Sequence, residues 1–316
     1  MEFHRDFDIV ADHNGNVWLL WISWESEFAP AYLNLSKSID SGRTFTTLFS
    51  SLSYFDGHLY QKLAVDAQNS IYMLWDDVQF KLTKFRFGDI NQRVDAEIPN
   101  DTLLIGSWPS LTVSKDFVVH CAWEGSFYDP ATGYHEFVFY SRSTDSGATF
   151  QGRTRIDTAD IVGSWAYVHH LPALAVDSTG IVFVSYTREL AVNQSDVRIV
   201  RSTDGGQTFL KPLVVSGTDT AYAPALCIDS ERGVNILWNA HGTYHNRSTD
   251  GGTSFTSSTY VGNIGLHDLK PSEGGFLYIT GEYNSRMCFT KTNIILSVPM
   301  DAAQPCIFTL FPSYPN

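Results

Sequence analysis

Six windows of thirteen residues superpose along the chain without a gap. They are IVADHNGNVWLLW (9–21), LAVDAQNSIYMLW (63–75), LTVSKDFVVHCAW (111–123), LAVDSTGIVFVSY (174–186), LCIDSERGVNILW (226–238) and LKPSEGGFLYITG (269–281). Each of the first five is a short apolar run, a polar turn and a second apolar run that ends in an aromatic. That pattern predicts a β-hairpin. The sixth window keeps the frame but not the residues. Window starts lie 54, 48, 63, 52 and 43 residues apart, about the length of a four-stranded blade. No long stretch carries a 3.6-residue period with caps, so helices are not expected.

A second motif follows four of the hairpins: SIDSGRTF (38–45), STDSGATF (143–150), STDGGQTF (202–209) and STDGGTSF (248–255). It reads as a turn. Asp40, Asp145, Asp204 and Asp250 accept hydrogen bonds from turn amides. Gly42, Gly147, Gly206 and Gly252 permit positive φ. Phe45, Phe150, Phe209 and Phe255 are expected to plug the blade core. After hairpins two and six, FRFGDI (85–90) and FTKTN (289–293) stand in its place.

The S-x-D-x-G-x-[TS]-F motif is the Asp box, or BNR repeat. Four copies interleaved with six hairpins resemble the sialidase-type propeller over nearly the whole chain. The fold expected is all-β, a six-bladed β-propeller with Asp-box turns. One domain is expected over residues 1–310, followed by a tail at 311–316. The boxes speak for fold and not for function.

In such a blade the hairpin turn and the Asp box share one face, and the remaining loops gather on the other, where a site belongs. Four residues before each window stand Arg5, Leu59, Ser107, His170, Tyr222 and Gly265. Directly after each window come Ile22, Asp76, Glu124, Thr187, Asn239 and Glu282. Arg188, Glu189 and His241 follow shortly, and nearby loops add Glu25, His58, Tyr60, Trp108, His267 and Asp268. Aromatic faces stack on sugar rings, and carboxylates bind hydroxyls or serve as acid and base. The periodic Trp21, Trp75, Trp123 and Trp238 read instead as blade core.

The resemblance to sialidases implies a triad of arginines gripping a substrate carboxylate. Arg5 stands where the first belongs, although Asp6 and Phe7 replace the Ile and Pro that follow it in the family. Arg188 stands one residue past the second. The third has no clear counterpart; His241 and Thr243 are near its place, and Arg286 lies a blade further on. The loop that holds the family's acid/base Asp offers Glu25 and Glu27 instead. In the string Leu266-His267-Asp268-Leu269, Leu266 stands where the family's nucleophilic Tyr belongs. His170 and Leu171 stand where its partner Glu belongs. Without that pair the covalent aryl-ester route is closed.

Three chemistries remain. A glycoside hydrolase would pair two carboxylates drawn from Asp76, Asp77, Glu124, Glu189, Glu25 and Glu282. A polysaccharide lyase would neutralise a uronate with Arg5 or Arg188 and use His170, Tyr222 or His58 as base. A glycan-binding module would use the face without turnover. Residues differ around each ring position, which favours one asymmetric site and leans toward the hydrolase. His170 is placed with the catalytic candidates. Arg5, Arg188, Tyr222, His58, Tyr60, His241, His267, Asp268 and Glu282 are placed with the substrate-binding ones.

Composition narrows the picture further. The 316 residues carry a net charge of −13 with no basic cluster, which argues against a nucleic-acid partner. The expected partner is a glycan or polysaccharide, and the expected state a monomer. No apolar run reaches membrane-spanning length. The four cysteines, Cys121, Cys227, Cys288 and Cys306, form no CxxC pair, and no metal or other cofactor is expected. Cys121 and Cys227 read as buried thiols. FTLFPSYPN (308–316) resembles the opening of a type IX secretion sorting domain, which implies an extracellular or cell-surface protein.

Overall fold

The computed structural model describes residues 7–24, 31–53, 60–77, 79–99, 105–131, 133–157, 161–162, 171–191, 194–217, 220–263, 265–271, 276–283 and 286–293. These form six small antiparallel sheets in chain order, each a meander of neighbouring strands. The first contains β1 (Phe7–Ala11), β2 (Val17–Trp24), β3 (Ala31–Ser38) and β4 (Thr46–Ser53). The second contains β5 (Gln61–Val65), β6 (Ile71–Asp77), β7 (Gln79–Phe85) and β8 (Arg93–Glu97). The third contains β9 (Ile105–Val113), β10 (Val119–Asp129), β11 (Gly133–Ser143) and β12 (Thr154–Arg155), with β13 (Ile161–Val162) also on β11.

The fourth contains β14 (Ala173–Val176), β15 (Val182–Ala191), β16 (Gln194–Ser202) and β17 (Leu213–Val214). The fifth contains β18 (Tyr222–Ile228), β19 (Val234–Asn239), β20 (Thr243–Ser248) and β21 (Thr259–Gly262). The sixth contains β22 (Gly265–Pro271), β23 (Phe276–Tyr283) and β24 (Arg286–Asn293). Among the described residues the one helical segment is a single 3-10 turn, Arg86–Gly88, and no helix is long and apolar enough to cross a membrane.

All six windows are hairpins, and all six share one register. The first window residue pairs with the eleventh: Ile9 with Leu19, Leu63 with Met73, Leu111 with Cys121, Leu174 with Val184, Leu226 with Ile236 and Leu269 with Ile279. Register follows the alternation of buried and solvated positions, because a slip by one turns every side chain to the wrong face. The degenerate sixth window keeps Leu269, Leu277 and Ile279 buried, and so keeps the register.

The chain divides into two compact units. The first holds the first three sheets together with residues 178–180 and 203–208, and the second holds the remainder of the last three. Within the first unit, Trp18, Leu20, Leu33 and Leu35 pack on Leu63, Ile71, Met73 and Trp75. Tyr72, Leu74, Phe80 and Leu82 likewise pack on Leu111, Cys121, Trp123 and Phe137. Within the second, Phe183, Val197 and Ile199 pack on Leu226, Ile236 and Trp238. Ala225, Cys227 and Leu237 in turn pack on Leu266, Leu269, Leu277 and Ile279. Each such side chain contributes about 1.5–3 kcal/mol of burial. Trp75, Trp123 and Trp238 are core as expected, and Cys121 and Cys227 are buried free thiols. Cys306 lies outside the described residues.

The four Ser-x-Asp turns join the third strand of a sheet to the fourth. In the first, the Ser38 hydroxyl donates to Asp40 Oδ1 at 2.7 Å, and the Arg43 and Thr44 amides donate to the same oxygen at 3.0 and 2.9 Å. The Thr44 amide and the Ser38 and Thr44 hydroxyls hold the Asp40 carboxyl down at about 2. Asp145 is held at about 2 by the Ser143 and Thr149 hydroxyls, and Asp250 lies lower still, led by the Ser254 hydroxyl. The four turn glycines take φ between 75 and 88°. The second sheet substitutes the Arg86–Gly88 turn, where Phe87 and Gly88 adopt the same pair of left-handed conformations. The phenylalanines depart from expectation. Phe150 and Phe255 pack on core clusters, but Phe45 is 39% exposed.

A second set of carboxylates occupies the hairpin turns. Asp12, Asp66 and Asp229, each the fourth residue of its window, accept turn amides and also a side-chain donor from the tenth. Those donors are Trp18 Nε1, Tyr72 Oη and Asn235 Nδ2, at 3.0, 2.9 and 2.8 Å. Burial pushes Asp12 up, but the donors of Trp18, Asn16 and Asn14 outweigh it and leave its carboxyl below the usual range.

Candidate functional site

The approach to the first strand is irregular in three consecutive sheets. Trp108, Leu171 and Ala223, each three residues before its window, have φ of 50, 44 and 51°. Each is followed by a proline: Pro109, Pro172 and Pro224. A left-handed residue before proline is sterically disfavoured twice over. In the third sheet Ser107 pairs with Glu124 and Ser110 with Ala122, so Trp108 and Pro109 together oppose Trp123. In the fifth, Tyr222 pairs with Asn239 and Ala225 with Leu237, so Ala223 and Pro224 oppose Trp238. These are β-bulges, which re-aim side chains and cluster beside active sites. Strain held at such positions marks a candidate site.

In the first unit the bulge presents a compact group. Glu124 is 2% exposed and accepts the Ser107 hydroxyl at 3.1 Å. Trp108 and Tyr60 meet with ring centroids 4.8 Å apart and planes tilted by 49°. Both rings are half-buried. Tyr60 stands three residues before its own window, as Trp108 does, so neighbouring sheets bring equivalent positions together. A carboxylate shielded from water beside a partly open aromatic pair is suited to hold a sugar ring and exchange a proton with it.

In the second unit the residues just after the windows serve the bulges. Thr187 Oγ1 accepts the Ala223 amide at 3.1 Å, and Asn239 Oδ1 accepts the Leu266 amide at 3.0 Å. Both side chains are buried, and they satisfy amides that the irregular strands leave out of the ladder. Arg188 and Glu189 are successive residues of β15, paired with Asp196 and Ser195. Successive strand side chains point to opposite faces, so these two are not brought together. Glu189 is buried. Tyr222 at the bulge is 44% exposed, and His241 is exposed. Asp268 forms an open ion pair with Lys270 at 3.2 Å.

Asp76 and Glu282 are the penultimate residues of β6 and β23, and His267 lies in β22; only their backbone positions are described. Arg5, Glu25, His58 and His170 lie outside the described residues. The structured member that the sequence did not single out is the strained X-Pro step. Its signal is legible in S-W-P-S-L (107–111), H-L-P-A-L (170–174) and Y-A-P-A-L (222–226). Among the described residues no cluster of three metal-ligating side chains occurs.

No family model and no curated protein matches the chain. Solved structures do. An α-L-arabinanase of Penicillium chrysogenum, complexed with arabinobiose, is 14% identical over 92% of this chain and 93% of its own, with a TM-score of 0.62. The chain has a six-bladed β-propeller fold. The α-L-arabinofuranosidase Arb93A of Fusarium graminearum, in complex with an iminosugar inhibitor, is 12% identical over 88% of this propeller and 87% of its own chain, with a TM-score of 0.61. A polysaccharide lyase of family PL25, an ulvan lyase bound to -[GlcA(1-4)Rha3S]-, is 9% identical over 93% and 80%, with a TM-score of 0.59. These structural neighbours of the propeller are carbohydrate-active enzymes.

Proposed function

We propose that this propeller is a glycoside hydrolase, with Glu124 as its proton-exchanging carboxylate and the Tyr60–Trp108 pair as the platform for a sugar ring. The observation that carries the reading is the strained bulge at Trp108. It sets a water-shielded carboxylate and an open aromatic pair at one strand end. A carboxyl group kept from water is the kind that glycosidases use to protonate a leaving oxygen. The Ser107 hydroxyl fixes its orientation.

Three further points support the reading. The same fold carries an α-L-arabinanase, an α-L-arabinofuranosidase and an ulvan lyase. Leu266, at the place of the sialidase nucleophile, is buried in a core cluster. The bond broken is therefore not expected to pass through an aryl ester. The Pro-rich stretch 308–316 supports a place outside the cell, which secretion of the full gene product from its host tests.

The test is a screen of the purified protein on arabinans, ulvan, other polysaccharides and aryl-glycosides, read by reducing ends and by absorbance at the uronate wavelength. Reducing ends without absorbance are expected. Absorbance would make the protein a lyase. Glycan binding without any turnover would make it a binding module.

A further inference from the structure

We propose that the turn end of the third sheet carries a second site, a pocket for the oxyanion of an acidic sugar. The pocket has a volume of about 280 Å³ and lies wholly within the first unit. That is just below the range for drug-sized ligands and suits one monosaccharide unit. Its chemistry is set by Arg142, Gln151, Thr154 and Gln207. Arg142 pairs with His120, four residues along β10 from Glu124. Strand rise puts roughly 13 Å between the two positions, so this pocket is not the site of Glu124.

The donors are in excess. The Arg142 guanidinium gives its Nε hydrogen to Gln151 Oε1 at 2.9 Å and one Nη1 hydrogen to the Gly205 carbonyl. Three of its five N–H groups remain for a ligand. Gln151, with its carbonyl oxygen committed to Arg142, offers both amide hydrogens. Thr154 adds a hydroxyl. Gln207 Nε2 is bound to the Asp204 carbonyl at 3.1 Å, which leaves its oxygen as the acceptor of the set. No carboxylate lines the pocket. In a chain of net charge −13, a lining with one cation and no anion is a local exception. Guanidinium with flanking amides recognises a planar carboxylate or a sulfate ester.

The walls are held before any ligand arrives. Tyr140 Oη lies 2.6 Å from His120 Nδ1. Gly206, at φ 88°, presses so close to Tyr140 that no Cβ fits there. Such preorganisation lowers the ordering cost of binding. That the oxyanion sits on a sugar rests on the proposed function. That an oxyanion binds here does not.

The test is calorimetric titration of the full chain with glucuronate, glucose and inorganic sulfate. It is repeated on Gln151→Leu and Thr154→Trp, two changes at exposed positions, and on Glu124→Gln. The proposal expects saturable glucuronate binding, weakened at least tenfold in both pocket variants and unchanged in Glu124→Gln. It expects no comparable binding of glucose. Glucuronate that does not saturate, or that binds the pocket variants as tightly as the parent, overturns it. So does glucose binding equally well, and saturation by sulfate alone overturns the sugar carrier. None of these readings uses turnover, so a failed hydrolase assignment leaves the result legible.

Discussion

Arg201, in the third strand of the fourth sheet, donates through Nη1 to the Gly251 carbonyl in the turn of the fifth sheet at 2.7 Å. The contact recurs along the chain. Lys84 reaches the Ser146 carbonyl at 3.2 Å, and Arg142 reaches that of Gly205. In each case the acceptor is the left-handed residue just before the turn glycine. Each donor faces the tenth window residue across the hairpin: Lys84 faces Tyr72, Arg142 faces His120 and Arg201 faces Phe183. Lys37 and Arg247 hold the same place opposite Trp18 and Asn235, and Lys37 stacks over the Trp18 ring at 4.7 Å. A cation thus ties one sheet to the turn of the next.

Arg201→Met is expected to cost about 1.5–3 kcal/mol, the value of a charge-assisted hydrogen bond. Urea denaturation of the variant checks it. An unchanged midpoint would deny the staple any role in stability.

The turn glycines are expected to respond unequally to alanine. Gly252 has φ 75° and a Cβ built there would lie 2.6 Å from a Phe183 ring carbon, whereas Gly42 has φ 85° and nothing within 4 Å. Gly42→Ala pays conformational strain alone, about 1–2 kcal/mol. Gly252→Ala adds a clash with a fully buried ring and is expected to cost at least about 1 kcal/mol more. Thermal melts of the two variants should rank in that order.

One buried and one half-buried histidine, His120 and His245, make stability depend on pH. Burial, then the Arg142 charge, brings His120 down to about 4, and burial followed by Arg247 brings His245 to about 4. A depressed histidine takes up its proton more readily unfolded than folded. Its contribution is therefore complete above the unfolded value of about 6.5 and is lost as pH falls toward 4. Each histidine steepens the loss by up to about 1.4 kcal/mol per pH unit. Denaturation between pH 4 and 8 should show the slope, and His120→Gln should reduce it by one proton's worth.

The bulge residues separate strain from function. Ala223→Gly relieves a left-handed pre-proline alanine and keeps the amide that Thr187 accepts, so it is expected to raise stability by about 0.5–1 kcal/mol. Trp108→Gly relieves the same strain but removes the platform. Aromatic contacts of this kind are worth about 0.5–1.5 kcal/mol beyond the area they bury, so glycan affinity should fall severalfold to about tenfold. Melting curves beside glycan titrations distinguish the two.

Much of the fold was legible because the hairpin windows and the Ser-x-Asp turns repeat in sequence as they repeat in space. The shared register followed from apolar positions that even the sixth window retains at Leu269, Leu277 and Ile279. The inter-sheet staple was written at the end of the third strand, as Lys84, Arg142 and Arg201, but a lone cation beside a turn looks like solvated surface until its acceptor is known. Of the candidate site, Glu124 and Tyr60 were within reach of position counting. Thr187 and Asn239 were not separable from them, because only the structure reveals that their side chains cap the amides of Ala223 and Leu266. The bulge at Trp108 was passed over because periodic counting assumes an unbroken ladder, although Pro109, which breaks it, is its signal in the sequence.

Glu124 is proposed to exchange the proton in glycan hydrolysis. The direct measurement is the rate of reducing-end release by Glu124→Gln against the parent, on whichever glycan the parent cleaves, with melting temperatures taken in parallel. Loss of a general acid or base costs about 10²–10⁴-fold in rate. A fall of that size in kcat with an unchanged melt is expected. A Glu124→Gln protein that cleaves at the parent's rate would contradict it.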